Sequence, residues 1–129
     1  MFMDEKAKAK IAIIEDDVTI VQMYRTKFLN EGYTVEMAGD GVVGLKLIAE
    51  FQPDIVLLDL MMPTMSGIDM LRELRQRPGG KDVRVVVLTN MGDDETAQSV
   101  KGLGVLEYIV KAEMTPSKVA ERVKELLKK

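Results

Sequence analysis

Six side chains suited to ion or phosphate chemistry fall at or just before the ends of short apolar strands in this sequence. They are Glu15, Asp16, Asp59, Thr89, Tyr108 and Lys111. Ligands of open α/β sheets bind where parallel strands end, so we expect these groups to meet at one edge of one sheet. A cluster of carboxylates needs a cation, and the ammonium and hydroxyl groups beside it suit an anion. A metal ion together with a phosphoryl group meets both requirements.

The elements that must position these groups alternate between strand and helix five times along the chain, which is typical of an α/β fold. Three predicted strands are continuous apolar runs, as expected when helices cover both faces of a sheet. These are Ile11–Ile14, Ile55–Leu58 and Val83–Leu88. Tyr33–Ala38 and Tyr108–Val110 carry polar residues and are predicted to be edge strands. Right-handed crossovers then favour a doubly wound five-stranded parallel sheet of order 2-1-3-4-5, a flavodoxin-like (βα)5 fold.

Helix-capping residues mark the predicted helix boundaries. Asp17 is the predicted N-cap of the first helix, and Ser66–Arg75 is the predicted third helix. Asp93 or Asp94 caps the fourth, and Thr115 followed by Pro116 begins the fifth. The sheet order reverses between the first and third strands, so Glu15, Asp16 and Asp59 are expected side by side at that switch point.

Composition restricts the kind of site that the chain can build. The 129 residues include neither cysteine nor histidine, which excludes disulfides, thiolate metal sites and imidazole bases. A metal held by oxygens alone is a hard cation, so Mg²⁺ is expected, with Mn²⁺ as the alternative. The net charge of −3 argues against a surface that binds nucleic acid directly.

The domain organisation predicted from the sequence is simple. Residues 1–9 form a polar N-terminal tail, and residues 10–129 form one domain. The first ten residues lack the apolar core of a signal peptide, and no apolar run reaches membrane-spanning length. We therefore expect a cytoplasmic protein without a membrane partner. Whether the chain stands alone or is an excised domain of a longer protein is left open by the sequence.

Five motifs resemble those of the receiver domain of response regulators, the phosphoacceptor of two-component signalling. The motifs are Ile14-Glu15-Asp16-Asp17, Leu57-Leu58-Asp59-Leu60-Met61-Met62-Pro63, Ser66-Gly67, Leu88-Thr89-Asn90 and Tyr108-Ile109-Val110-Lys111. The similarity covers about residues 10–129.

This resemblance implies a specific metal site and acceptor. Asp59 would accept a phosphoryl group from the phosphohistidine of a sensor histidine kinase or a phosphotransfer protein, or from a small phosphodonor. Asp16 and Asp59 would bind Mg²⁺ directly, Glu15 would act through water, and the backbone carbonyl of Met61 would complete the protein ligands. Few protein ligands plus waters suit Mg²⁺.

The resemblance also implies a switch. Lys111 and the Thr89 hydroxyl would neutralise the transferring group. After phosphorylation Thr89 would move towards the phosphoryl oxygens, and Tyr108 would pack inward behind it. The face formed by helix four, strand five and helix five would then change for a downstream protein partner that the sequence does not name. A homodimer formed on activation is one outcome. Such a protein catalyses its own phosphorylation and slow dephosphorylation and is not a conventional turnover enzyme.

Two local features distinguish this sequence within the resemblance. Family members usually carry proline with a cis bond after the lysine, whereas Ala112 follows Lys111 here. Met61 and Met91 follow Asp59 and Thr89 by two residues, where they are expected to overhang the approach of water to the phosphoryl group. Their side chains offer no strong hydrogen bond to orient that water, so a long-lived phosphorylated state is predicted.

Three other interpretations are less well supported by the residues. Gly39–Gly44 matches G-x-G-x-x-G, the dinucleotide-binding pattern, but it follows an apparent edge strand and contains Asp40. A binding module with this fold that is never phosphorylated would not need all the chemical residues. A hydrolase of the haloacid dehalogenase type would carry a second acid where Met61 stands.

Overall fold

A five-stranded parallel sheet with helices on both faces forms the core of the chain. The computed structural model describes residues 9–129, so nearly all of the predicted tail lies outside the described residues. The strands are β1 (Lys10–Ile14), β2 (Thr34–Ala38), β3 (Ile55–Leu58), β4 (Val85–Thr89) and β5 (Glu107–Val110). The helices are α1 (Val18–Asn30), α2 (Gly41–Phe51), α3 (Gly67–Gln76), α4 (Asp94–Lys101) and α5 (Pro116–Leu127). The observed order β2-β1-β3-β4-β5 confirms the predicted doubly wound fold.

The register of the central strands brings their carboxyl ends level. Ile14, the last residue of β1, pairs with Ala38 of β2 and with Leu58, the last residue of β3. Glu15 and Asp59 directly follow the pair formed by Ile14 and Leu58. They therefore leave the sheet side by side, as expected at the point where the strand order reverses.

Two apolar layers pack on opposite faces of the sheet because neighbouring strand residues point to opposite sides. Ile11 and Ile13 of β1 pack in the layer beneath α1 and α5. Ala12 and Ile14 pack in the layer beneath α2, α3 and α4. All four side chains are buried, which explains why this strand is an uninterrupted apolar run.

Side chains at the helix N-termini accept hydrogen bonds from backbone N–H groups of the first turn. Each such cap typically contributes about 1 kcal/mol to stability. The capping residues are Asp17, Asp40, Ser66, Asp93 and Thr115. The predicted caps of the first, fourth and fifth helices are thus confirmed, and Ser66 caps α3 rather than forming its first residue.

The predicted starts of several strands need correction. β4 begins at Val85 and not at Val83, because the Val83 carbonyl accepts a hydrogen bond from Arg75 and does not enter the sheet ladder. β2 begins at Thr34 and not at Tyr33, and β5 begins at Glu107 and not at Tyr108. Within residues 9–129, no helix is long and apolar enough to cross a membrane.

Candidate functional site

Three carboxylates converge at the carboxyl edge of the sheet, where β1 and β3 end. Glu15 and Asp59 are each only 6% exposed, whereas Asp16 is open to solvent. One oxygen from each of the three lies within 4.8 Å of those of the other two. Three negative groups this close repel one another, so the arrangement requires positive charge.

Two donors hold the buried Glu15 carboxylate in place. Its Oε1 atom accepts a hydrogen bond from Lys111 Nζ at 2.7 Å, and its Oε2 atom accepts one from the Asp17 N–H at 3.1 Å. Burial raises the pKa of Glu15 above its usual value, and the neighbouring Asp59 adds to this rise even though both donors oppose it. Burial therefore outweighs the two donors at this carboxylate.

The Asp59 carboxylate has two differently held oxygens. The Asp59 N–H donates to the Ile14 carbonyl at 2.9 Å, which fixes the residue against β1. Its Oδ1 atom accepts from the Met61 N–H at 3.3 Å, and its Oδ2 atom lies 3.5 Å from Lys111 Nζ. Asp59 thus presents a buried carboxylate that contacts a cation on one side and the loop backbone on the other.

Lys111 is the cation of the site. It follows β5 in a short 3₁₀ turn, and its side chain is 16% exposed. Burial alone would lower the pKa of Lys111, but its contacts with Glu15 and Asp59 outweigh this effect and hold the pKa above its usual value. The ammonium group therefore stays charged at neutral pH. The peptide bond between Lys111 and Ala112 is trans.

The charges of the site fit a divalent cation. When ionised, the carboxylates of Glu15, Asp16 and Asp59 carry three negative charges, and Lys111 carries one positive charge, which leaves −2. A divalent ion would neutralise this excess. The side-chain donors are all oxygens, which is the set that Mg²⁺ or Mn²⁺ prefers.

The backbone of Met91 links the two remaining residues singled out in the sequence. Thr89 is fully buried at the end of β4, and its hydroxyl accepts a hydrogen bond from the Met91 N–H at 3.4 Å. The half-buried Tyr108 donates its hydroxyl proton to the Met91 carbonyl. Tyr108 already packs against the apolar layer beneath α2, α3 and α4. The movements expected of Thr89 and Tyr108 on phosphorylation stay predictions.

The two methionines near the site differ in their surroundings. Met61 is 56% exposed, and its backbone N–H contacts Asp59. Met91 is half-buried and packs against the apolar layer beneath α2, α3 and α4. The roles predicted for the Met61 carbonyl as a metal ligand and for both side chains as barriers to water stay predictions.

Sequence reasoning missed how closely α3 approaches Asp59. A Cβ atom added to Gly67 would lie 2.1 Å from the carbonyl oxygen of Asp59 and 2.7 Å from the Cα atom of Leu60. The Gly67 N–H also donates to the Leu60 carbonyl at 3.0 Å. The Ser66-Gly67 motif in the sequence could have indicated this approach, because only glycine leaves room for the backbone of Asp59 and Leu60.

Packing accounts for two glycines of the dinucleotide-like pattern. A Cβ atom on Gly41 would lie 2.7 Å from both the side chain and the carbonyl oxygen of Met65. One on Gly44 would lie 3.0 Å from the Ile14 side chain. Both glycines let α2 approach its neighbours, so the pattern has a structural explanation.

The fold and the site define an α/β protein with a cluster of acidic residues that could hold a metal ion at the carboxyl edge of its sheet. Comparisons with known proteins identify the family. The family described as the response regulator receiver domain matches residues 11–124. The chain therefore belongs to the response regulator receiver family.

Two curated relatives and one solved structure illustrate the similarity. The DNA-binding response regulator MtrA of Mycobacterium tuberculosis is 36% identical over 124 residues, which cover 95% of this chain and 52% of MtrA. The probable transcriptional regulator ycf27 of Guillardia theta is 33% identical over 129 residues, which cover 98% of this chain and 48% of that protein. This chain thus spans about half the length of the curated relatives it matches.

The solved structure is a CheY-like receiver domain protein of Methanospirillum hungatei. It superposes with a TM-score of 0.84 at 28% identity and covers 95% of either chain.

Proposed function

We propose that this chain is a phosphoacceptor switch in which Asp59 receives a phosphoryl group from the phosphohistidine of a sensor kinase or phosphotransfer protein. The observation that carries the proposal is the setting of the Asp59 carboxylate. It is buried, within 4.8 Å of carboxylate oxygens of Glu15 and Asp16, and 3.5 Å from the Lys111 ammonium. Acids and a cation so placed suit the binding of a metal and a phosphoryl group together.

The proposed reaction is a displacement at phosphorus. A carboxylate oxygen of Asp59 forms the new P–O bond while the P–N bond to the donor imidazole breaks, and the imidazole leaves with its bonding electron pair. Because two anions repel each other, positioning and charge neutralisation are the main catalytic requirements. Lys111 Nζ supplies one positive charge beside the acceptor, and the Thr89 hydroxyl supplies a donor at the end of the next strand.

The residues present fit a bound Mg²⁺. Asp16 and Asp59 would hold it directly, Glu15 through water, and the Met61 carbonyl as a further ligand. When bound, Mg²⁺ would neutralise negative charge on the phosphoryl oxygens. Lys111 would keep Glu15 in position, because its Nζ atom donates to Glu15 Oε1 at 2.7 Å.

The proposed switch runs through Met91. A phosphoryl group on Asp59 adds charge and strong acceptor oxygens. The Thr89 hydroxyl turns to donate to the phosphoryl oxygens and no longer accepts the hydrogen bond from the Met91 N–H. Because the Met91 carbonyl accepts a hydrogen bond from Tyr108, this change reaches Tyr108. This changes the face formed by α4, β5 and α5, which then binds a downstream protein or a second copy of the chain. Direct binding to nucleic acid is not proposed for this acidic domain.

The test is intact mass measurement after incubation with acetyl phosphate and Mg²⁺. We expect one added phosphoryl group on the wild type and on the control Asp69→Asn, whose exposed carboxylate pairs with Arg72 on α3. We expect none on Asp59→Asn or in the presence of EDTA. Uptake by Asp59→Asn would contradict the proposal. Absence of uptake by a folded wild type would favour the binding module that is never phosphorylated.

A further inference from the structure

The guanidinium group of Arg75, near the end of α3, joins two other segments of the chain. Its Nη1 atom donates to the carbonyls of Gly80 at 2.7 Å and Val83 at 2.8 Å, which precede β4. Its Nε atom donates to Leu103 at 2.7 Å and its Nη2 atom to Gly104 at 3.1 Å, between α4 and β5. These bonds use four of the five N–H donors of the side chain.

One of the two segments held by Arg75, Leu103 and Gly104, directly follows α4, a weakly anchored helix. Of the eight residues of α4, Val100 alone is buried. A helix with one buried side chain has little packing to hold it, so its end contacts decide its position. One such contact is the Tyr108–Met91 bond before the helix, and another is the set of Arg75 hydrogen bonds after it.

We propose that Arg75 is the pivot of the switch: it holds the C-terminal end of α4 on α3 while the N-terminal end moves. This inference rests on the proposed function, because phosphorylation at Asp59 drives the movement. The Tyr108–Met91 bond lies at the moving end and belongs to the predicted switch, whereas the four carbonyls that accept from Arg75 belong to residues outside the phosphorylation site.

Two physical features suit Arg75 to this role. The carbonyls of Leu103 and Gly104 follow the C-terminal end of α4, where the helix dipole favours a cation. Guanidinium N–H groups point outwards in a fixed plane, so Arg75 reaches carbonyls on two separate loops at once. A lysine has a single nitrogen and cannot span both loops. Arg75 is therefore a positioning residue that acts through backbone carbonyls.

If Arg75 is a pivot, the two ends of α4 move by different distances. Eight residues at 1.5 Å each give a helix of about 12 Å. A rotation of about 20° around its last turn moves the first turn by about 4 Å and leaves the Arg75 acceptors in place. A sliding helix would instead displace both ends equally.

Hydrogen exchange of backbone amides tests the pivot, with beryllofluoride and Mg²⁺ as the phosphoryl mimic. In the wild type we expect changed exchange over residues 91–97 and unchanged exchange at Leu103, Gly104 and Leu106, whose amides donate to backbone carbonyls. Arg75→Met should raise exchange at those three amides about tenfold even without beryllofluoride. With beryllofluoride, the change should spread along the whole of α4.

Two further variants sharpen the result. Arg72→Met is the matched control, because Arg72 lies on the same helix and its side chain is 55% exposed. Its ion pair with Asp69 is long, with 3.5 Å between Nη1 and Oδ1. Arg72→Met should behave as the wild type does, whereas Arg75→Lys should resemble Arg75→Met and provides the same test with a milder change.

Equal exchange in the Arg75 and Arg72 variants would overturn the pivot alone. Faster exchange at Leu103 and Gly104 in the activated wild type would also overturn it. If beryllofluoride changes nothing and Asp59 takes up no phosphoryl group in the mass measurement, the proposed function fails and the pivot fails with it. The intact mass result separates these cases.

Discussion

Replacing Gly67 by alanine is expected to destabilise the protein and displace Asp59, the proposed phosphoacceptor. The added Cβ atom would lie 2.1 Å from the Asp59 carbonyl oxygen, so one backbone segment must move by about 1 Å to restore an ordinary contact. Overpacking of this kind costs about 1–3 kcal/mol. The better helix propensity of alanine offsets at most about 1 kcal/mol of that cost. We expect a net loss of about 2 kcal/mol in the free energy of unfolding.

Thermal melting and phosphorylation rate together check this prediction. An unfolding entropy of about 2.1 cal/mol/K per residue turns 2 kcal/mol into a decrease of about 7 °C in Tm for this chain. Because a shift of about 1 Å at a reacting group can cost on the order of 10²-fold in rate, phosphoryl uptake from acetyl phosphate should fall strongly. Gly102→Ala is the matched control, since its Cβ atom would lie 3.5 Å from the Ser99 carbonyl oxygen, an ordinary contact.

A Gly67→Ala protein with the same Tm as the Gly102→Ala control would refute the reasoning. A protein that melts early but takes up phosphate at the wild-type rate would refute the coupling between α3 and Asp59.

Three other perturbations have defined outcomes. Lys111→Ala should raise the pKa of Glu15 still further above 4.5. A raised carboxyl pKa stabilises the fold only at low pH, so the variant should lose stability relative to wild type as the pH rises above about 4.5. Denaturation curves should show this loss, and Mg²⁺ should reduce it. A loss of stability that does not depend on pH would count against this. Burial raises the pKa of Tyr24 to about 12. From pH 10 to 12 the wild type should therefore lose about 2–3 kcal/mol that Tyr24→Phe does not lose, and parallel denaturation curves would contradict the assignment. Met61→Asn combined with Met91→Glu should shorten the lifetime of the phosphorylated protein by on the order of 10²-fold, and an unchanged lifetime would make both methionines packing residues only.

Much of the fold could be predicted because the strongest patterns in the sequence are also its structural determinants. Ile11–Ile14 and Ile55–Leu58 are short apolar runs buried on both faces, and each is followed by an acid. Parallel pairing in register then places Glu15 beside Asp59 without knowledge of the loops. Asp17 and Thr115 could be predicted as caps because capping depends on local sequence.

The contacts that could not be predicted depend on distances between separate loops. Lys111 has a long side chain that could reach either Glu15 or Asp59, and only the structure shows the shorter contact, 2.7 Å, to Glu15. The use of four carbonyls by Arg75 has no sequence pattern, because backbone carbonyls are present at every residue. The diversion of Val83 from β4 follows from these hydrogen bonds and was missed for the same reason.

The central claim is that Asp59 itself carries the phosphoryl group, and borohydride reduction tests it most directly. Borohydride reduces an aspartyl phosphate to homoserine with release of phosphate and leaves free aspartate unchanged. After treatment with acetyl phosphate and Mg²⁺, peptide mass mapping should locate homoserine at residue 59 and at no other aspartate. Homoserine at Asp16 or at any position other than 59, or its formation in the presence of EDTA, would contradict the account.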